Sequence, residues 1–194
     1  MKHAIIVGHP DPDSFTLSVA RAYVAAVERL GHTTRLRDLY RLDFDPRLTL
    51  AECRDSPADD ALAERRAIAD ADVFVFIYPF WFNTPPAIVK GYVERVFGAG
   101  FGYARQVQGG QGPLLAGRRL LSFTSSGSSR AWLEEQGAWL SLKMLFDDYL
   151  ARLCGLEVID HVHFASVTAD LEPRWVEENL ALVAAKVAAL FGGR

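Results

Sequence analysis

Continuous apolar runs alternate with stripes at helical spacing along the whole chain. Residues 3–8 form an unbroken run ending at Gly8, the pattern of a strand covered on both faces. From Phe15 the apolar positions fall at Phe15, Val19, Ala22, Tyr23, Ala26, Val27 and Leu30, one face of a helix that Gly31 ends. Residues 33–38 read as a second, shorter strand. Residues 39–57 mix prolines, charges and scattered aliphatics and read as a long connection. A helix over 58–69 leads into Val73-Phe74-Val75-Phe76-Ile77-Tyr78, the most strand-like segment of the chain. Pro86 then opens a helix carrying Ile88, Val89, Tyr92, Val93, Val96 and Phe97 on one face.

A Gly-rich stretch over 98–117 reads as loop, and residues 119–124 as strand four. Trp139, Leu142, Phe146, Tyr149, Leu150 and Leu153 mark a long helix ended by Gly155. Residues 156–164 read as strand five and 175–191 as the closing helix. Alternation at this spacing predicts a single α/β domain over residues 1–194: a three-layer sandwich with helices on both faces of a five-stranded parallel sheet. Right-handed crossovers leave the order 2-1-3-4-5 as the common solution, with a ligand crevice at the carboxyl ends of strands one and three.

Composition narrows the class. The formal net charge is -3 and no Lys/Arg cluster stands out, which argues against a nucleic-acid partner. Cys53 and Cys154 are far apart and show no metal-like spacing, so the thiols suit a reducing compartment. No apolar stretch reaches the length of a membrane span, and the N-terminal run is too short for a signal segment. The expectation is a soluble, cytoplasmic protein without membrane insertion.

The chemistry should then come from three loops. The first runs His9-Pro10-Asp11-Pro12-Asp13-Ser14-Phe15-Thr16. Ser14 or Asp13 suits an N-cap, and the helix amides behind it attract a phosphate. The second, Pro79-Phe80-Trp81-Phe82-Asn83-Thr84-Pro85-Pro86, carries three consecutive aromatics that cannot all enter one core. At least one should stand exposed, where a flat cofactor is a natural partner. The third, Thr124-Ser125-Ser126-Gly127-Ser128-Ser129, lets backbone amides approach a ligand closely. No nucleophile elbow is present, and Ser126 has no evident His or Asp partner, which disfavours hydrolase chemistry. His161 and His163 alternate on strand five without a carboxylate cluster, so no metal site is assigned. Asp147-Asp148 and Glu64-Arg65-Arg66 read as solvated helix faces, and Trp175 as a packing residue.

Taken together, the run Pro86-Ala87-Ile88-Val89-Lys90-Gly91-Tyr92-Val93-Glu94-Arg95-Val96-Phe97, with His9, Ser14-Phe15, Phe101-Gly102-Tyr103 and Leu121-Ser122-Phe123-Thr124, resembles the NAD(P)H:quinone oxidoreductase (DT-diaphorase-like) family of flavodoxin-like flavoproteins. The resemblance implies tightly bound FAD or FMN, NAD(P)H as co-substrate, a small-molecule electron acceptor and a homodimer. It implies that His9, Ser14, Phe15 and Thr16 contact the phosphate-ribityl part, Thr16 standing where the family usually carries Asn. Pro79, Phe80, Trp81, Phe82 and Asn83 would border the isoalloxazine ring. Thr124, Ser125, Ser126 and Gly127 would wrap its other side, and Tyr103 would line the acceptor pocket. Arg174 would lie near the cofactor, and Arg65 falls where a relative touches it.

Mammalian members also carry a Tyr and a His after the third loop. Here Trp132 and Trp139 are the nearest positions, and no His lies between Ser126 and Asp160. Hydride transfer would proceed without that pair, and no side chain is assigned a catalytic role. The alternatives are a flavin-binding regulatory subunit of a potassium-efflux system and a flavodoxin-like electron carrier.

Overall fold

The computed structural model describes residues 1–54, 56–104 and 112–193, so part of the expected 98–117 loop lies outside the described residues. Five strands form one parallel sheet of order β2-β1-β3-β4-β5: β1 (Lys2–Val7), β2 (Thr33–Asp38), β3 (Val73–Pro79), β4 (Arg119–Ser125) and β5 (Glu157–Phe164). The helices are α1 (Phe15–Arg29), α2 (Leu50–Cys53), α3 (Asp59–Ile68), α4 (Ala87–Val96), α5 (Arg130–Glu135), α6 (Ala138–Leu142), α7 (Tyr149–Cys154) and α8 (Pro173–Phe191). A π-helical turn, Lys143–Asp148, joins α6 to α7. Among the described residues no helix is long and apolar enough to cross a membrane.

Central strands read as unbroken apolar runs because both faces are covered. Ala4, Ile6, Phe74, Phe76 and Tyr78 point to one side, against Val89 and Tyr92 of α4, Phe97 at its end, and Phe146 and Leu150. Ile5, Val7, Val75, Ile77 and Phe123 point to the other, against Tyr23 and Val27 of α1 and Val183 and Val187 of α8. Period-two alternation thus fills two cores from one sequence run. β2 and β5 are the edge strands, and the polar sequence TTRLRD of β2 matches its half-exposed position.

The expected connection over 39–57 has little regular structure of its own, but it is anchored. Arg95, 4% exposed, donates to Glu52 Oε1 at 2.7 Å and to Asp60 Oδ1 at 2.6 Å, and also to the carbonyl of Asp45. The same guanidinium lies 5.0 Å from the centre of the Phe44 ring. A Cβ on Gly91 would fall 2.2 Å from the carbonyl oxygen of Pro46, so only glycine lets this segment close over α4.

Two expected solvated faces are solvated only at Arg66 and Asp148. Glu64 is buried, paired with Arg37, and accepts from Tyr92 Oη at 3.1 Å. Arg65 donates to the carbonyls of Arg95, Val96 and Ala99 at 2.8, 3.0 and 3.1 Å, closing the end of α4. It caps a helix here. Asp147 is fully buried, because the wider π turn rotates it towards the sheet while Asp148 stays outside.

Candidate functional site

Parallel strands put all their carboxyl ends on one edge, so the loops after β1, β3 and β4 meet there. Pro79 is in register with Ser125, and the Phe80 amide donates to the Ser125 carbonyl at 2.7 Å. The His9 and Trp81 rings lie 5.7 Å apart, which joins the first loop to the second. Phe15 meets Phe164 edge-on at 5.3 Å, and the Ser126 amide donates to the Phe164 carbonyl at 3.0 Å.

In the first loop Ser14 is the N-cap of α1, its Oγ accepting from the Leu17 amide at 3.3 Å. Among the described residues no partner is seen for the amides of Phe15 and Thr16 at the helix start, an arrangement suited to an anion. Two arginines that the sequence reading left out hold this loop from behind. Arg41 donates to the carbonyls of His9 (3.3 Å) and Pro10 (2.7 Å), and Arg21 to that of Pro12 (2.6 Å). Their charge offsets Asp11 and Asp13, of which Asp11 also turns inward to accept from the Asp13 amide at 2.9 Å.

The second loop is a tight hairpin. Trp81 and Thr84 exchange two backbone hydrogen bonds of 3.1 Å, leaving Phe82 and Asn83 as the two tip residues at φ of 52° and 58°. That is the geometry of a turn requiring φ > 0 at both centres, where glycine is normal and Phe is strained. The Phe82 side chain is wholly exposed, Trp81 half exposed, and Phe80 turned inward with its ring tilted against that of His163 at 4.6 Å. Asn83 donates to the Ala138 carbonyl at 3.2 Å, while its Oδ1 is buried with no partner.

The third loop is backed by β5. Thr124 Oγ1 lies 2.7 Å from His161 Nε2 and 2.9 Å from His163 Nδ1, and Ser126 Oγ lies 3.0 Å from His163 Nε2. Ser126 therefore has an imidazole partner, contrary to the sequence reading. No carboxylate stands behind that ring, since its other nitrogen faces Thr124. Burial, the neighbouring His161 and Arg130 hold the His163 ring down at about 4, so it is neutral near pH 7. The alternating histidines were the available signal; what sequence could not supply was their pairing with a strand far away in the chain.

Tyr103 stands apart, and among the described residues no hydrogen bond or ring contact joins it to the three loops. It lines an apolar groove of about 290 Å³ with Val93, Phe97, Tyr149 and Leu153. Arg174 pairs with Glu172 at 3.0 Å and stacks over Trp175, which is half exposed and not packed as expected.

A flavin fits this edge on three observations. Unpartnered amides open α1, an orphaned acceptor sits on Asn83, and an exposed aromatic stands at the hairpin tip. At Gly127 an added Cβ would meet nothing closer than 3.9 Å, so the third loop is open to close approach.

Comparisons with known proteins agree with the fold. A family model described as flavodoxin-like fold matches residues 1–189. An uncharacterized NAD(P)H oxidoreductase of Haemophilus influenzae is 30% identical over 86% of this chain and 85% of its own length. The NAD(P)H dehydrogenase [quinone] 1 of Cavia porcellus is 32% identical over 64% of this chain, which spans only about half (53%) of that protein. Among solved structures, an NAD(P)H:quinone oxidoreductase from Methanothermobacter marburgensis superposes with a TM-score of 0.87 at 24% identity, over 100% of this chain and 98% of the other. An FMN-dependent NADH-azoreductase of Bacillus anthracis, in complex with FMN, superposes at 0.70 with 20% identity over 98% and 99%. With its five-stranded doubly wound sheet and the loops after β1, β3 and β4 gathered on one edge, the chain belongs to the flavodoxin-like family.

Proposed function

We propose that the chain is a flavin-dependent NAD(P)H oxidoreductase that transfers two electrons, as hydride, to a quinone or similar small acceptor by a ping-pong cycle. The observation that carries this reading is the strained Phe82–Asn83 tip, with Phe82 wholly exposed, on a hairpin that the Phe80 amide ties to the Ser125 carbonyl of the third loop. Strain in an exposed aromatic is retained where function needs it. The names borne by the Haemophilus influenzae and Cavia porcellus relatives support NAD(P)H as the donor.

Bound FAD or FMN would supply the redox chemistry, leaving the protein to orient and to tune charge. Phe15 and Thr16 would offer their amides to the flavin phosphate, with Ser14 beside them. Phe82 and Trp81 would wall the ring, and Thr124, Ser125, Ser126 and Gly127 would present amides and hydroxyls to its far side. One slot on the exposed face would take donor and acceptor in turn, and holding each at contact distance is the main catalytic device.

The groove around Tyr103 would be completed by a second copy of the chain. Leu140, Met144, Leu145 and Tyr149 form an exposed apolar strip along α6, the π turn and α7, more than a monomer's surface needs. The test is to purify the protein, record its visible spectrum, identify released flavin by mass, and follow NAD(P)H oxidation with menadione. A yellow protein with parallel double-reciprocal lines is expected. Protein that stays colourless with added FMN and FAD refutes the reading, and tight flavin binding with negligible turnover would favour the regulatory or electron-carrier alternative.

A further inference from the structure

β4 and β5 lie side by side with Ser122 opposite His161 and Thr124 opposite His163. The π turn lays Asp147 against the same side chains. The result is an unbroken chain of polar groups through the interior. Ser122 Oγ donates to Asp147 Oδ1 at 2.8 Å, and Asp147 Oδ2 is hydrogen-bonded to His161 Nδ1. His161 Nε2 reaches Thr124 Oγ1 (2.7 Å), that hydroxyl reaches His163 Nδ1 (2.9 Å), and His163 Nε2 reaches Ser126 Oγ (3.0 Å). Asp147, Thr124, His161 and Ser126 are buried and His163 is partly exposed; Ser126 ends the chain in the third loop.

We infer that Asp147, His161, Thr124, His163 and Ser126 form a proton wire that stores one proton on the His161–Asp147 pair and exchanges it with the group seated against Ser126. Only the identity of that group, the flavin edge, rests on the proposed function. The coupling of the two imidazoles stands on geometry.

Every member between the ends can both donate and accept, and the proton count closes. With Asp147 as carboxylate, His161 carries its proton on Nδ1 and its bare Nε2 accepts from Thr124. The Thr124 oxygen then accepts from His163 Nδ1–H, and His163 Nε2 accepts from Ser126. One proton arriving at Ser126 Oγ shifts each hydrogen along its own bond. His163 ends neutral with its proton on Nε2, and His161 ends as an imidazolium facing the carboxylate. One positive charge has moved to the interior without any heavy atom moving.

The surroundings suit this. His163 is held neutral, as a relay member must be. The other groups facing the wire are few. Arg130 of α5 lies near His163, and the Tyr78 hydroxyl of β3 is buried without a partner in the field of Asp147. Asp160 accepts from the His161 amide, and the Trp139 ring sits against both imidazoles at 4.7 and 5.3 Å.

The test uses ¹⁵N-histidine protein and long-range ¹H–¹⁵N spectra, which report which ring nitrogen carries the proton. In the flavin-free wild type His163 should be protonated on Nδ1. Asp147→Asn removes the charge that holds the His161 proton on Nδ1. Where the amide NH2 turns to His161 Nδ1 every bond reverses, and the His161 and His163 protons should switch nitrogen together, although residue 147 does not touch residue 163. Adding Thr124→Val should uncouple the two rings. A His161 proton that moves in Asp147→Asn while His163 keeps its own on Nδ1 overturns the wire. Should that variant fail to fold or leave both rings unchanged, wild-type protein loaded with FMN gives a second reading. Reduction with dithionite should doubly protonate His161 and flip His163, and no change in either ring overturns the wire. If the wild type binds neither FMN nor FAD the proposed function falls, and the Asp147→Asn comparison still judges the wire.

Discussion

Replacing Phe82 separates what the hairpin tip costs the fold from what it does for a ligand. The side chain is wholly exposed, so its loss removes no core burial, and its φ of 52° is unfavourable for any residue with a Cβ. That conformation costs about 1–2 kcal/mol, and glycine relieves it while losing about 0.4–1 kcal/mol through the entropy of the unfolded chain. Flavin-free Phe82→Gly should therefore be between zero and about 1.5 kcal/mol more stable than the wild type in urea unfolding. For contrast, truncating a buried ring such as Phe76 costs about 3–5 kcal/mol. An aromatic face against a flat heterocycle is worth about 1–3 kcal/mol, so FMN or FAD should bind about 5- to 150-fold more weakly, read by quenching of flavin fluorescence on titration. Phe82→Ala is the control: it keeps the strain and loses the ring, so affinity should fall equally with no gain in stability. Flavin affinity unchanged from the wild type in both variants, or a loss of more than about 1 kcal/mol in the flavin-free glycine variant, would refute the assignment of this tip to the cofactor.

Three further outcomes follow from other parts of the molecule. Arg95→Met strands the buried Glu52 carboxylate and should cost about 3–5 kcal/mol, or roughly 6–20 °C in melting temperature; a loss under about 1 kcal/mol would mean that the 39–60 segment is anchored otherwise. His3 is held at about 4, against an ordinary 6.5, by burial first and then by the charge of His32. A depressed base binds fewer protons folded than unfolded, so its contribution is complete above about 6.5 and is lost as pH falls towards 4. His3→Gln should flatten the stability–pH slope in that window, and an unaltered slope would contradict the burial of this ring. Leu145→Lys, at the middle of the exposed apolar strip, should convert a dimer to monomer in sedimentation velocity, and a wild type already monomeric at micromolar concentration would exclude the strip as a self-interface.

What the sequence made legible was whatever depends on local periodicity. The runs at β1 and β3 and the stripes of α1 and α4 sit within a residue or two of their expected bounds, because two-sided burial and a helical face each leave a direct mark. The aromatic loop was legible for a different reason: three adjacent rings cannot share one interior, and the structure turns Phe80 in and Phe82 out. The unread parts depend on partners remote in the chain. Glu52, Asp60 and Arg95 look like ordinary surface charges until the fold brings the two carboxylates to 2.7 and 2.6 Å from the guanidinium. Asp147 reads as half of a solvated pair because a regular helix would put it outside, and nothing local announces the π turn. His161 and His163 lacked a visible carboxylate for the same reason.

The widened turn at Lys143–Asp148 has a consequence for how this region tolerates change. It holds one residue more than an α-helical turn, and the flanking faces stay aligned because the turn takes up that residue. Leu142, Leu150 and Cys154 are all buried, yet in a continuous α-helix the latter two would stand about 80° and about 120° away from the first. Deleting one residue inside 143–148 would close the stretch into a regular α-helix and keep those three side chains on the inner face. What the deletion would forfeit is the inward placement of Asp147, so the extra residue serves the buried carboxylate more than the packing around it.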